Sequence, residues 1–138
     1  MVADCGKDCG KWGKARAYRF TIPGRLSGLN ELITAERTNR FRGAKLKKDA
    51  ERQVRAAIRQ QLRGAKVRPP VQLRYTFYEL NKRRDLDNVA AFGMKITQDS
   101  LVKEGVLQND GWSHVCGFTC AFFVDADRPR IEVEIAEI

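Results

Sequence analysis

No part of this sequence stays apolar for long: the longest unbroken run, Cys120–Val124, is five residues, against the roughly 20 that a membrane-spanning helix needs. That excludes a spanning helix. The opening stretch Met1–Lys14 also lacks the apolar core of a secretory signal, so the expected location is the cytoplasm. Internal repeats, low-complexity tracts and linker-like segments are missing too. The 138 residues therefore read as one domain, residues 16–138, behind a leader, residues 1–15, without periodicity. Histidine is almost absent: His114 stands alone, in a segment with strand alternation where a packed or hydrogen-bonded role is expected. Cysteine is scarce and poorly spaced for a metal knuckle, since Cys5/Cys9 and Cys116/Cys120 are each separated by three residues rather than two. Reduced packing or surface thiols are the expectation, with a zinc-stabilised domain as the alternative.

Acidic residues are in short supply in one half only. Residues 1–70 hold 18 Lys/Arg against 6 Asp/Glu, whereas residues 71–138 hold 8 against 11, for a net charge of +9. A basic half of this kind suits a polyanion, because Lys and Arg on phosphates release counterions and give salt-sensitive affinity.

What is present is strong periodicity. Ala17–Ile22 is β-rich and stops at Pro23-Gly24, which predicts a strand and a turn, followed by an extended loop over Arg25–Asn30. From Gly43 to Arg63 the apolar positions Leu46, Ala50, Val54, Ala57, Ile58 and Leu62 recur every three or four residues, the spacing of a helix. Its other faces carry Lys45, Lys47, Lys48, Arg52, Arg55, Arg59 and Arg63, and Gly64 marks a stop. Val71, Leu73, Tyr75 and Phe77 alternate with polar residues as in a half-buried strand. A second helix is predicted over Asp87–Lys103, with Asp able to cap its start and Gly105 after its end. Two strands, Ser113–Val124 and Ile131–Ile135, close the chain across a short turn. The order β-α-β-α-β-β predicts an α+β fold with a mixed, largely antiparallel sheet and two main helices.

The sharpest local feature is Arg83-Arg84-Asp85-Leu86-Asp87-Asn88, at a strand-to-helix junction. Two carboxylates one residue apart can face one hard cation, and Lys82, Arg83 and Arg84 would set phosphate-binding groups beside it. Asp-x-Asp also caps helices, so on its own the motif leaves both readings open. Asp110 lies in an Asn-Asp-Gly turn that needs no function to explain it. A loop folding back after the helix would bring Asp110 to Asp85 and complete a three-acid site. Trp112, beside it, either stacks on a base or packs under the turn, and packing is the commoner fate of an aromatic.

Taken together, Arg83–Asn88, then Lys95-x3-Asp99-Ser-Leu101, then Gly105-Val106-x3-Asp110 resembles the core of the RusA family of Holliday junction resolvases. Leu29-Asn-Glu31, Ala35-Glu36 and Gly43-Ala-Lys-Leu-Lys-Lys48 are similar to its phage-type members, and the resemblance spans roughly residues 18 to 137. It implies a homodimer in the bacterial host cytoplasm that binds branched DNA and cuts two opposed strands of a four-way junction. The metal would be Mg2+, with Mn2+ able to substitute, held by Asp85, Asp87 and Asp110, and Lys95 matches the family's catalytic lysine. DNA contacts are expected from Lys82, Arg83, Arg84, Lys45, Lys47 and Lys48. Two positions depart from the pattern. Ala91 stands where compact members carry the lysine, which puts Lys95 about 12 Å along the helix from Asp87. Asn109 replaces an acid that relatives often carry before Asp110. A non-catalytic basic DNA-binding protein with a degenerate metal site is the alternative these departures support.

Overall fold

The computed structural model describes residues 16–138; the predicted leader and its Cys5 and Cys9 lie outside the described residues. The elements are β1 (Ala17–Pro23), α1 (Leu29–Thr38), α2 (Arg40–Leu62), β2 (Val71–Glu79), α3 (Leu86–Lys103), β3 (Val115–Val124) and β4 (Arg130–Glu137). Four strands form one sheet in the order β1-β4-β2-β3. The α+β expectation holds, and the sheet is mixed: β1–β4 and β2–β4 are antiparallel, β2–β3 parallel.

Strand alternation decides which face the helices cover. Val71, Leu73, Tyr75 and Phe77 on β2 are at most 1% exposed, and Ile131, Val133 and Ile135 on β4 join them with Phe20 and Ile22 of β1. Against this face α2 buries Ala50, Val54, Ala57 and Ile58, and α3 buries Val89, Phe92, Gly93, Ile96 and Leu101. Burying one such side chain stabilises the fold by about 1.5–3 kcal/mol. The opposite sheet face is polar, with Arg74 and Arg19 both on Glu134 at 2.8 and 2.6 Å.

The two last strands are not neighbours. A link of residues 125–129 carries the chain past β2, which sits between β3 and β4. β2 is apolar enough to need a strand on each side, so the β2-α3-β3 crossover takes its outer edge in parallel and β4 takes the inner one. The segment after β1 also differs from its expected form. Residues from Leu29 on are helical rather than extended, because Gly28 N–H donates to Glu31 at 3.1 Å and Leu32 packs into the core. Asn39 then ends α1 and starts α2, its side chain accepting from the N–H groups of Phe41 and Arg42. Gly64 and Gly105, at φ +77° and +76°, follow the ends of α2 and α3 in the left-handed conformation that glycine adopts freely. Among the described residues, no helix is long and apolar enough to cross a membrane.

Packing of α3 on the sheet depends on closeness at one point. A Cβ at Gly93 would lie 2.9 Å from the Phe77 ring and 3.7 Å from Ile131, and Phe77 is fully buried. Gly93→Ala gains about 1 kcal/mol of helix propensity but overpacks the core at a cost of about 1–3 kcal/mol. Net destabilisation is expected in a urea titration, with the midpoint lowered.

Candidate functional site

The loop between β2 and α3 divides its residues by direction. Arg84 turns inward: its side chain is 13% exposed and donates to both carboxylate oxygens of Glu79 at 2.9 and 3.0 Å. It also donates to the Leu26 carbonyl and to Glu31, each at 3.0 Å. Asn88, 8% exposed, accepts the Asn30 N–H at 2.7 Å. Gly28 lets it approach, since a Cβ there would lie 2.7 Å from the Asn88 amide. Arg84 and Asn88 thus tie the start of α1 to the start of α3. Expected as a DNA contact, Arg84 has its donors spent on the scaffold instead.

The neighbours in the motif face water. Lys82, Arg83, Asp85 and Asp87 are exposed, and among the described residues no ion pair engages them. Asp85 occupies the N-cap of α3 without a side-chain capping bond, so the capping explanation for this residue fails. Asp87, in the first turn, accepts only its neighbour's N–H, from Asn88 at 2.9 Å. Beside them a hollow of about 610 Å³ is lined by Glu79, Asn81, Lys82, Arg84, Asp85, Leu86, Phe122, Phe123 and Val124. Phe123 stacks on Tyr78 with centroids 5.5 Å apart, and the Arg130 guanidinium lies 3.8 Å from the far ring's centroid. Sequence reading did not single out this aromatic row, since its members stand on three different strands.

Asp110 does not fold back to this end. After α3 the chain turns at Gly105, Val106 accepts from the Val67 N–H, and His114 accepts from the Val71 N–H where β2 begins. Asp85 lies at the opposite end of α3, whose 18 residues span about 27 Å. Among the described residues, no three acidic, histidine or cysteine side chains of a single chain gather to hold a metal. That also leaves Cys116, Cys120 and His114 apart as ligands: Cys116 donates to the Val71 carbonyl, Cys120 contacts Met94, and His114 contacts Ser113 at 2.9 Å. The charge of Asp110 is felt instead at Tyr75, midway along β2. Burial chiefly pushes that phenol well up, a Gln98 hydrogen bond works against it, and Cys120 and Asp110 add to the rise.

Lys95 is 70% exposed and sits 3.3 Å from Asp99, one turn further from Asp87. Lys45 and Lys47 pair with Asp49 and Glu36 at 3.2 and 3.5 Å, while Lys48 is exposed. Trp112, expected under the turn, is 99% exposed, so among the described residues nothing packs on it.

Against this geometry stand the comparisons with known proteins. A family model described as endodeoxyribonuclease RusA matches residues 27–136, which takes in the hollow, both carboxylates at the start of α3, Lys95 and Asp110. No curated protein matches the chain.

If the inward half of the motif is scaffold, removing it affects folding before chemistry. Arg84→Met strands the Glu79 carboxylate, with only Arg25 at 3.7 Å left to meet it, and is expected to cost about 3 kcal/mol. Asn88→Ala should cost about 1–2 kcal/mol through the orphaned Asn30 N–H. Chemical denaturation of both variants checks this, and an unchanged midpoint for Arg84→Met would contradict the assignment.

Proposed function

The chain belongs to the RusA family of endodeoxyribonucleases, Holliday junction resolvases that act on branched DNA, and from that premise we propose that it is a magnesium-dependent homodimer cutting two opposed strands of a four-way junction. The observation that carries this reading is the pair Asp85 and Asp87, exposed at the start of α3 beside the cations Lys82 and Arg83, all four without an ion-pair partner among the described residues. Oxygen-only donors with room for water and phosphate suit Mg2+, and Mn2+ accepts the same set.

Asp85 and Asp87 would hold the ion, which when bound supplies a Lewis acid for phosphodiester hydrolysis. Lys82 and Arg83 grip the backbone on either side of the scissile phosphate, and the Arg83 guanidinium can meet charge developing on it with paired donors. Lys95 serves that role only by leaving Asp99. Arg84 acts indirectly, by fixing the loop that aims its neighbours.

The third carboxylate comes from the second copy. Asp110 lies too far along its own chain, and the chain offers a surface for self-association around it. Among the described residues the outer edge of β3 has no strand beside it. Along it Phe118, Phe123 and Val124 are 53%, 55% and 47% exposed, and Trp112 protrudes at its start. Exposed apolar residues on an unpaired strand are a common association surface, and two opposed cuts require two sites related by symmetry.

On a synthetic four-way junction, Asp85→Asn is expected to lower magnesium-dependent cleavage roughly a thousandfold, the several kcal/mol a metal ion contributes, while junction binding persists. Undiminished cleavage by that variant rejects the mechanism. Binding by the unmodified protein without nicking in either metal would establish the degenerate, non-catalytic alternative that Asn109 favours. Mixing tests the second-copy assignment: Asp85→Asn and Asp110→Asn are each inactive alone, and after subunit exchange their mixture should nick one strand from one restored site. A mixture that stays inactive places the third acid in the same chain.

A further inference from the structure

The outer face of α2 carries more charge than the fold pairs, and the carboxylate site uses none of it. Its buried residues, Gly43, Ala50, Val54, Ala57 and Ile58, define the inner face. Away from that face, at intervals of three or four, stand Lys45, Lys48, Arg52, the half-buried Arg55, and Arg59, with Arg63 following at the C-cap. The eighteen residue steps from Lys45 to Arg63 extend about 27 Å. Lys45, Arg52 and Arg59 have side chains 77%, 75% and 61% exposed.

Few acids relieve this stripe. Asp49 is shared by Lys45 and Arg52, and Glu104 of α3 by Arg55 and Arg59 at 2.6 and 3.1 Å. Glu51, 3.8 Å from Arg55, is 2.8 Å from Lys103 of α3. Lys48 and Arg63 have no carboxylate partner among the described residues. Burial pushes Glu104 up, but the hydrogen bonds from Arg55 and Arg59 outweigh it and hold the carboxyl below its ordinary range. The shared acids therefore orient the guanidinium groups without neutralising the row.

Like charges one turn apart repel each other along a helix, and a helix needing only solubility would mix signs, as the outer face of α3 does with Asp87, Lys95 and uncharged residues. A membrane surface fits poorly, because the apolar face that would enter the lipid is already packed against the sheet. A regular array of phosphates fits well: the stripe is nearly as long as one turn of duplex DNA, about 34 Å.

We propose that the outer face of α2 is a rail for duplex DNA, along which one arm of the branched substrate lies by phosphate contacts alone. The proposal rests on the nuclease reading and deepens it. The rail positions without reading sequence, so it contributes to every arm equally and depends steeply on salt.

The test uses the full chain without divalent metal and measures anisotropy of a labelled linear duplex and of a four-way junction across a salt series. Arg52→Gln/Arg59→Gln/Arg63→Gln is expected to reduce the slope of log affinity against log salt by about 2–3, at roughly 0.9 per lost phosphate contact, with cleavage at saturating protein preserved. Should that variant melt early by circular dichroism, Lys48→Gln/Arg63→Gln removes the two cations without acid partners and should reduce the slope by about 1–2. An unchanged slope in a folded variant overturns the rail. So does a loss confined to anionic vesicles with duplex binding intact. Failure of the unmodified protein to bind or cut the junction would instead remove the nuclease reading, and the two failures are told apart by that control.

Discussion

The guanidinium of Arg84, bonded to Glu79, Glu31 and the Leu26 carbonyl, is the interaction on which the rest of the site depends. It joins the end of β2, the loop after β1 and the start of α1 at one point, and the first turn of α3 follows it directly. A charge with 13% exposure is costly unless every donor is met, and here the donors meet three acceptor groups. The loop consequently has little freedom, and the direction of Asp85 and Asp87 is set by packing rather than by the carboxylates themselves.

This division explains why one short motif can serve both folding and chemistry. Arg84-Asp85-Leu86-Asp87-Asn88 turns its two ends inward and its three middle residues outward at the junction of a strand with a helix. The inward ones, Arg84 and Asn88, find partners distant in sequence, 53 to 58 residues away. Among the described residues the outward carboxylates Asp85 and Asp87 have no ion-pair partner, which leaves them available to a ligand.

The same sheet that supports the loop leaves its own edge unfinished. Among the described residues β3 pairs on one side only, and the helices cover the face of β2 and β4 more fully than that of β3. Its aromatic residues and the protruding Trp112 are the part of the molecule a single chain does not satisfy. The separation of Asp110 from Asp85 belongs with this: in the proposed homodimer a second copy would both cover the edge and supply the third acid.

Local pattern was enough for much of the fold. The periods of two and three-to-four residues in Val71–Phe77 and Leu46–Leu62 reflect which side chains must leave water, and the elements formed there with ends displaced by a few residues. The glycine stops followed from the same rules. The sequence did not reveal helix α1, because its start depends on Asn88 and Gly28, partners that become neighbours only in the folded chain. It could not place β2 between β3 and β4, since strand order is chosen by competition for the most apolar strand and a short link permits either neighbour. Nor could it keep Asp110 from Asp85 or spend Arg84 on Glu79: residue types declare what chemistry is possible, and only long-range packing decides which groups remain free to perform it.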